Sequence, residues 1–506
     1  MSIAALADAI AKRGATRLYG VPGSGASLEL IDALEHHGVG FWSTAFEGSA
    51  AIMAGTAGRM TGRAGYALSI KGPGLANQVP GLAACALEGW PMVALAEAYA
   101  PNLPPAKAHK RLDQAALVGG VAKGHRYWDG EASSLDGLAS WAEREAPGPV
   151  LLELAGTVPD DAPPPPDASP SDIIAGHVEK AARPVVIAGT LAIRMGWAEQ
   201  LNKLQVPVFT TAAAKGAVDE WLPHAAGVYT GVGLDLTPEK ALLADADLIV
   251  GLGLRAGEVL NAAPFDCAAV NVEAIHAPGA DGFRFTAQGA DVDAVFAALA
   301  GKSWGVDEAR NAVADLDATM LGRPFGPAHV YRAAATTWRD CRMVIDTGYF
   351  CTVAEHAWHS ARPDLCLSSG SGRYMGIGLP QALAAADFDR STVTVLATGD
   401  GGLPPFVAEA RLAAPNKLPL VVLHLSDGGY GSVRTRAIND RLTQRPLLTD
   451  GSWGSTFGAF GFQVAHADDE EQVYRAMEAW RPDKGPLFID VSFDPDHYQA
   501  MVEGIR

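Results

Sequence analysis

The sequence has few cysteines and no long uncharged apolar run. Five cysteines occur among 506 residues, scattered and never in a C-x-x-C pair. Their odd number and spacing disfavour a disulfide framework or a structural zinc site and favour a reducing compartment. No segment approaches the roughly 20 apolar residues that a membrane-spanning helix needs. Asp8 and Lys12 interrupt any signal-peptide core, so we expect a cytoplasmic protein with no membrane partner.

Basic residues are also scarce. Lys and Arg number 39 against 57 Asp and Glu, a formal net charge of −18, which argues against an extended nucleic-acid surface but not against a small anionic ligand. Hydrophobic residues make up 48% and charged residues 19%, as in a well-packed protein. The length is too great for a single core and predicts two or three domains.

Short apolar runs alternate with helix-length amphipathic stretches. The clearest runs are 92–98, 150–154, 184–189, 248–252, 343–346, 393–399, 420–425 and 487–491. Apolar strands that alternate with helices indicate parallel sheets covered on both faces. The predicted fold class is therefore α/β, with three doubly wound parallel-sheet domains.

Two breaks divide the chain. Residues 157–170, with four consecutive prolines at 163–166, predict an extended linker. A weaker boundary lies in 301–327. The predicted domains are 1–156, 171–300 and 327–506. The first and third close on similar phrases, GPVLLEL from Gly148 and GPLFIDV from Gly485, which suggests two related domains flanking a different one.

Two glycine-rich turns follow consecutive apolar strands in the third domain. Their residues are Gly399, Asp400, Gly401 and Gly402 in the first turn, and Asp427, Gly428, Gly429, Tyr430 and Gly431 in the second. Open α/β sheets bind ligands at the carboxyl ends of their strands, and two carboxylates there suit a hard cation. Either sequence alone would be explained as an ordinary turn, because Asp-Gly is common in turns. Their pairing favours a metal–diphosphate site.

The first domain contains an acidic residue before a helix of small residues. A predicted strand leads to Glu47, and an Ala/Gly-rich helix then extends to about Met60. A second small-residue segment, GPGLANQVPGLAAC, follows at 72–85. Taken alone, Glu47 is explained by the favourable interaction of an acid with a helix N-terminus.

In this order, the motifs resemble those of the thiamine diphosphate enzymes. The resemblance implies a pyrimidine-binding domain, a Rossmann-like central domain and a diphosphate-binding domain, as in acetohydroxyacid synthase and benzoylformate decarboxylase. It implies Mg²⁺ held by Asp400, Asp427 and the carbonyl of Gly429. The family's usual Asn-Asn is here Ser426-Asp427. We expect the added charge of Asp427 to strengthen Mg²⁺ binding and to repel the cofactor.

The same resemblance implies roles for residues around the cofactor. Glu47 activates the cofactor through its pyrimidine ring, and Met375, in 370–383, supports the bent cofactor conformation. The implied cofactor contacts are Pro22, Gly72, Asn77, Met375, Gly399, Asp400, Gly401, Gly402, Asp427, Gly429, Tyr430 and Gly431. The central domain of this family holds FAD, ADP or nothing, and FAD is not favoured because the chain lacks a G-x-G-x-x-G motif after a strand.

The candidate substrate pocket contains Ser24, Lys71, His109 and Lys110. Ser24 matches a serine that meets the substrate carboxylate in benzoylformate decarboxylase. Lys71 stands where several decarboxylases have histidine, and a substrate-binding role and an ordinary surface lysine are equally compatible with the sequence. His109 and Lys110 replace the Phe-Gln pair of many relatives, which puts acetohydroxyacid synthase activity in question.

The resemblance implies a lyase or transferase that breaks or forms a C–C bond beside a carbonyl of a small molecule. The donor is a 2-oxo acid or a related acyl compound, and the expected assembly is a homodimer or homotetramer with active sites at the dimer interface. Acetolactate synthase proper, acyl-CoA or oxalyl-CoA chemistry, a nicotinamide or flavin oxidoreductase, and an inactive cofactor-binding scaffold remain alternatives. Three other histidines are interpreted structurally, His356 and His359 as a neutral surface pair and His424 as a satisfied core residue.

Overall fold

A computed structural model describes most of the chain. The described residues are 3–23, 26–99, 112–154, 173–254, 258, 265–273, 285–288, 292–370, 373–443, 447–449 and 452–505. They form two compact units. The N-terminal unit comprises Met1–Pro164, Leu379–Arg390 and Phe406–Ala413, and the larger unit comprises the remainder.

The N-terminal unit contains one six-stranded parallel sheet. Its strands are β1 (Arg17–Gly20), β2 (Gly40–Ser43), β3 (Gly65–Ser69), β4 (Met92–Glu97), β5 (His125–Tyr127) and β6 (Pro149–Leu154). Its helices are α1 (Ile3–Lys12), α2 (Ala26–His36), α3 (Glu47–Thr61), α4 (Pro73–Glu88), α5 (Gln114–Val118) and α6 (Ala132–Glu143). The strand order is β2-β1-β3-β4-β6-β5, and all strand pairs are parallel.

The larger unit contains two further parallel sheets, each of six strands. The second sheet consists of β7 (Pro184–Ala188), β8 (Val208–Thr210), β9 (Ala225–Val228), β10 (Leu248–Leu252), β11 (Ala268–Glu273) and β12 (Phe285–Gln288). The third consists of β13 (Arg342–Ile345), β14 (Cys366–Ser368), β15 (Thr394–Thr398), β16 (Leu420–Ser426), β17 (Gln463–Ala467) and β18 (Leu487–Ser492).

The remaining helices follow the order of the chain. They are α7 (Ile173–Lys180), α8 (Thr190–Arg194), α9 (Ala198–Asn202), α10 (Pro238–Leu243), α11 (Val292–Ala300), α12 (Val306–Leu321), α13 (Pro327–Thr337), α14 (Tyr349–Ala357), α15 (Gly378–Phe388), α16 (Gly431–Asn439), α17 (Gly454–Ala459), α18 (Glu470–Ala479) and α19 (Pro495–Ala500). Nearly all of α15 belongs to the N-terminal unit.

The first and third sheets have the same topology. The third sheet is ordered β14-β13-β15-β16-β18-β17, which repeats the first-sheet order strand for strand. The phrases GPVLLEL and GPLFIDV occupy equivalent strands, β6 and β18. The second sheet, β12-β11-β10-β7-β8-β9, has instead the 3-2-1-4-5-6 order of dinucleotide-binding folds, read from its other edge. The first and third sheets therefore share one strand order, and the second has a different one.

Small residues allow α3 and α4 to pack very closely. A Cβ on Gly55 would lie 2.3 Å from the Cys85 sulfur, and one on Gly81 would lie 2.2 Å from the Gly48 carbonyl oxygen. Larger side chains would separate the two helices. This packing explains the Ala/Gly-rich sequence and fixes the position of the first residue of α3, Glu47.

The α/β fold predicted from the sequence is confirmed, and all eight apolar runs overlap strands. The predicted linker 157–170 lies outside the described residues, and the domain bounds stay a prediction. Within the described parts of the chain, no helix combines the length and apolar character needed to cross a membrane.

Candidate active site

Glu47 is held at the carboxyl edge of the first sheet. It is the first residue of α3, 7% exposed, and Asn77 Nδ2 donates a hydrogen bond of 3.1 Å to its Oε2. A Cβ on Gly74 would lie 3.3 Å from the other carboxylate oxygen. The carboxyl group therefore has a fixed position, and the structure brings together two of the predicted site residues, Glu47 and Asn77.

A second acid, Glu409, fixes the chain just before Glu47. Its carboxylate accepts hydrogen bonds from the backbone N–H of Ala45, at 2.9 and 3.1 Å, and of Phe46, at 3.1 Å. Burial raises the pKa of Glu409, although the N–H groups of Ala45 and Phe46 oppose the rise. Glu409 thus supplies the helix cap that Phe46 cannot. No local pattern in the sequence signals this pairing.

We expect Glu409→Ala to loosen the start of α3. The substitution leaves two N–H groups without their acceptor, and amide exchange in a peptide covering residues 45–52 should accelerate about tenfold or more. Hydrogen-exchange mass spectrometry measures this, with the α18 peptide as an internal reference. Glu409→Gln keeps an acceptor oxygen and should restore most of the protection. Equal exchange in Glu409→Ala and the parent would contradict the capping role.

Gly72 and Pro22 lie on turns at the same sheet edge. Gly72 has a φ of +66° and precedes α4, so a side chain there would be strained. Its N–H donates to the Gln114 side-chain oxygen at 2.7 Å. Pro22 follows β1 and is exposed. Both residues are therefore placed where strands of the first sheet end.

Lys71 forms an ion pair with buried Glu97 at the end of β4. The Lys71 ammonium also lies 5.3 Å from the centre of the Tyr99 ring. Ser27 donates to Glu97 from its hydroxyl, at 2.6 Å, and from its N–H, at 3.0 Å. Burial acts to raise the pKa of Glu97, but the hydrogen bonds from Lys71 and Ser27 outweigh that effect and lower the pKa. Lys71 is thus not an ordinary surface lysine, whereas Ser24, His109 and Lys110 lie outside the described residues.

Asp400 follows β15 at the carboxyl edge of the third sheet. The Ser426 hydroxyl lies 2.9 Å from both Asp400 oxygens, the Thr449 hydroxyl donates at 3.0 Å, and the Gly429 N–H donates at 3.3 Å. Beneath it, His424 Nε2 lies 3.6 Å from Asp400, and His424 Nδ1 lies 2.8 Å from Asp490. The two glycine-rich turns therefore meet around one carboxylate.

Asp427 follows the neighbouring strand, β16, and is 5% exposed. Its Oδ2 is buried and has no hydrogen-bond donor, although Arg434 lies 3.4 Å away. Burial raises the pKa of Asp427 to about 6, with Arg434 opposing the rise and the Asp400 charge adding to it. A buried carboxylate oxygen without a donor, beside a second carboxylate, suits a bound cation.

The described residues contain no group of three or more His, Cys, Asp or Glu that would hold a metal. Asp400 and Asp427 follow neighbouring strands, and a pair of carboxylates leaves coordination positions for phosphate oxygens and water. Mg²⁺ is commonly bound in this way, through one or two carboxylates and substrate phosphates. The residues therefore fit the metal that the sequence predicts.

Met375 and Tyr430 flank Gly401. A Cβ on Gly401 would lie 2.9 Å from the Met375 sulfur and 2.6 Å from the Tyr430 ring. Met375 is 41% exposed, so it does not fill the core. Burial raises the pKa of Asp346 to about 6. Its carboxylate accepts a hydrogen bond of 2.9 Å from the Gly376 N–H and so anchors the loop that carries Met375. The structure thus gathers the predicted glycine turn, Met375 and Tyr430 at one edge.

Two interpretations of histidines are changed or refined. The surface interpretation of His356 is wrong: it is 6% exposed, burial lowers its pKa to about 4, and its Nε2 lacks a partner. His359 is half-buried and lies 2.8 Å from Asp317. His424 is a core residue as predicted but is not fully satisfied, because its buried Nε2 has no hydrogen-bond partner and lies 3.6 Å from Asp400.

Comparison with known families gives the same assignment for all three parts of the chain. Residues 3–117 match the thiamine pyrophosphate enzyme N-terminal TPP binding domain, and residues 172–279 match the central domain of these enzymes. Residues 346–491 match their C-terminal TPP binding domain. Together the matches cover more than half of the chain.

Individual relatives are more distant. The chain is 28% identical to the acetolactate synthase isozyme 2 large subunit of Escherichia coli, over 31% of this chain and only 29% of that protein. It is 24% identical to a probable acetolactate synthase large subunit of Methanococcus aeolicus, over 96% of this chain and 90% of that protein. It is also 24% identical to a probable 2-ketoarginine decarboxylase of Pseudomonas aeruginosa, over 63% and 59%. The chain belongs to the thiamine pyrophosphate enzyme family, in the branch that includes acetolactate synthases and decarboxylases.

Proposed function

We propose that the chain is a thiamine diphosphate- and Mg²⁺-dependent enzyme that breaks or forms a C–C bond beside a carbonyl. The donor is a 2-oxo acid or a related acyl compound. The observation that carries the proposal is the buried Glu47 carboxylate, fixed by Asn77 in the N-terminal thiamine pyrophosphate domain. An inactive scaffold has no need of a buried, pre-positioned acid at this edge.

Bound thiamine diphosphate supplies a carbon nucleophile and accepts the electron pair of the broken C–C bond. Glu47 is proposed to hold a proton at a carboxyl oxygen, from which it would activate the cofactor through its pyrimidine ring. Asn77 orients that carboxyl group, and Glu409 fixes the backbone from which it projects. Preorganised groups of this kind lower a barrier without reorganising during the reaction.

Asp400 and Asp427, with the carbonyl of Gly429, are proposed to hold Mg²⁺ beside the diphosphate. The N–H groups of the glycine-rich turns would be able to approach phosphate oxygens because no Cβ intervenes. Gly401 has no room for a side chain beside Met375 and Tyr430. These residues bind and orient the cofactor and take no part in bond breaking.

Lys71 is proposed to bind the carboxylate of the substrate, and the family resemblance assigns Ser24, His109 and Lys110 to the same pocket. Glu97 accepts one hydrogen bond from its ammonium group, which has three donors. The remaining donors can bind an anion.

Replacing Lys71 by methionine should raise KM for the preferred 2-oxo acid about tenfold or more, because a charge-assisted hydrogen bond is lost. Cofactor affinity should change little. Steady-state kinetics with calorimetric titration of the cofactor measure both quantities. Lys71→Arg keeps the charge and serves as the control. An unchanged KM in Lys71→Met would remove Lys71 from the substrate pocket.

The proposed function is tested by loading the protein with thiamine diphosphate and Mg²⁺ and offering a panel of acyl donors. Pyruvate, 2-oxobutyrate, benzoylformate, a 2-oxo acid with a cationic side chain, and an acyl-CoA separate the main alternatives. Carbon dioxide and acyloin products are measured with and without an added aldehyde. Acetolactate from pyruvate would identify acetolactate synthase proper. Tight cofactor binding without turnover of any donor would support the inactive scaffold.

We also propose a homodimer or homotetramer in which a second copy completes the site, and a cytoplasmic location. Glu47 and Asp400 belong to different compact units of the chain, and in the resembling family two copies share each site. Size-exclusion chromatography with light scattering at several protein concentrations tests the assembly. A stable monomer that retains full activity would contradict it.

A further inference from the structure

Asp427 is accompanied by a buried cation that the family resemblance does not explain. Arg434 lies near the start of α16, and its side chain is 7% exposed while that of Asp427 is 3% exposed. Arginine and aspartate are rarely buried to this degree unless they are paired. A buried ion pair at the point where β16 ends therefore needs a physical explanation.

Arg434 contacts both the backbone and the side chain of Asp427. Its Nη1 donates to the Asp427 carbonyl oxygen at 3.2 Å, and its Nη2 lies 3.4 Å from Oδ2. The first contact fixes the turn, and the second places a positive charge beside the carboxylate. Gly431 allows the chain to pass close to the same carboxylate, since a Cβ there would lie 2.9 Å from Oδ2.

The longer of the two contacts leaves Asp427 able to bind a cation. At 3.4 Å, the Nη2–Oδ2 distance exceeds the 2.7–2.9 Å of a charge-assisted hydrogen bond. Oδ2 has no other hydrogen-bond donor. The guanidinium thus contributes charge at short range without occupying the oxygen fully.

Charge balance completes the argument. Asp400 and Asp427 together bring two negative charges, one more than the aspartate–asparagine pair that the resemblance implies. The Arg434 guanidinium removes that excess. A diphosphate beside the two aspartates then meets the same net charge as beside an aspartate and an asparagine. The expectation of a more repulsive site, drawn from Asp427 alone, omitted this cation.

We propose that Arg434 is a positioning residue for the metal–diphosphate site, offsetting the charge of Asp427 and fixing the turn that carries it. The inference rests on the proposed function in one respect, that Asp400 and Asp427 hold Mg²⁺ beside the cofactor diphosphate. Asp427 and Arg434 then act as a matched pair.

A double-mutant cycle of binding tests this pairing without any substrate. Arg434→Gln, Asp427→Asn and the double variant are titrated with thiamine diphosphate at saturating Mg²⁺, and with Mn²⁺ alone as a spectroscopic probe of the metal site. Arg434→Gln should weaken cofactor binding roughly tenfold or more. In the Asp427→Asn background, the same change should cost about threefold or less.

Two controls separate the pairing from general damage. Arg436→Gln removes an arginine from the same helix, but its side chain is 83% exposed and it should leave cofactor affinity unchanged. Arg434→Lys keeps the charge and should retain most of the cofactor affinity. It provides a second comparison with the parent if Arg434→Gln folds poorly. Circular dichroism and thermal unfolding check that each variant is folded.

An equal loss of affinity from Arg434→Gln in both backgrounds would overturn the inference while leaving the proposed function intact. A non-additive cycle in a protein that binds the cofactor but turns over no donor would support the inference and refute the proposed function. The two failures are therefore distinguishable.

Discussion

Glu47→Gln should reduce kcat a hundredfold or more while thiamine diphosphate binding remains nearly unchanged. Glutamine retains the side-chain oxygen that accepts the hydrogen bond from Asn77, so the local structure should persist. It lacks the proton that the carboxyl group is proposed to hold for the cofactor. Steady-state rates with the preferred donor, together with cofactor titration, measure both effects.

The Glu47 comparison has an internal control, because affinity and rate respond differently. An unfolded or displaced α3 would weaken cofactor binding and lower the rate together. A loss confined to the rate identifies the carboxyl proton. Full activity in Glu47→Gln would refute the proposed mechanism.

Asp400→Ala should weaken Mg²⁺-dependent cofactor binding a hundredfold or more, a larger effect than the losses seen when outer-shell partners of metal ligands are removed. The substitution also removes the acceptor of the Ser426 and Thr449 hydroxyl groups. Calorimetric titration with thiamine diphosphate at fixed Mg²⁺ measures the loss.

Asp483→Ala is the matched control for Asp400→Ala, because Asp483 is an exposed aspartate in the same compact unit. It should leave the titration unchanged. Cofactor binding should depend on Mg²⁺ in the parent and in Asp483→Ala but no longer in Asp400→Ala. Cofactor affinity equal to that of the parent would exclude Asp400 as a metal ligand.

The sequence alone indicates the fold, and it also predicts both centres of the candidate site, because these signals are local. Buried strands such as β16 and β18, of seven and six residues, begin with continuous apolar runs of four and three residues. Asp400 and Asp427 stand directly after such strands, and Glu47 directly before a run of small residues. Strands of three residues, such as β5 and β14, carry no comparable signal.

Residues that support the site were missed because they come from distant parts of the chain. Glu409 accepts a hydrogen bond from the N–H of Ala45, 364 residues away, and Glu97 accepts one from Ser27, 70 residues away. No spacing rule connects such positions. Arg434 is closer, seven residues after Asp427, but an arginine on a helix is usually solvated. Only the packed structure shows that it is buried.

The misassigned histidine has a related cause. Helical spacing places a residue on a face but does not say what covers that face. His356 is covered because other elements of its unit pack over it, and the resulting burial depresses its pKa. The sequence likewise does not show that Asp346 anchors the loop that carries Met375.

The most direct test of the role of Glu47 needs no substrate. The rate at which the C2 proton of bound thiamine diphosphate exchanges with deuterium can be measured by quenched-flow NMR in the parent and in Glu47→Gln. We expect exchange to slow a hundredfold or more in the variant at equal cofactor occupancy. Equal exchange rates in the two proteins would contradict the proposal that Glu47 activates the cofactor.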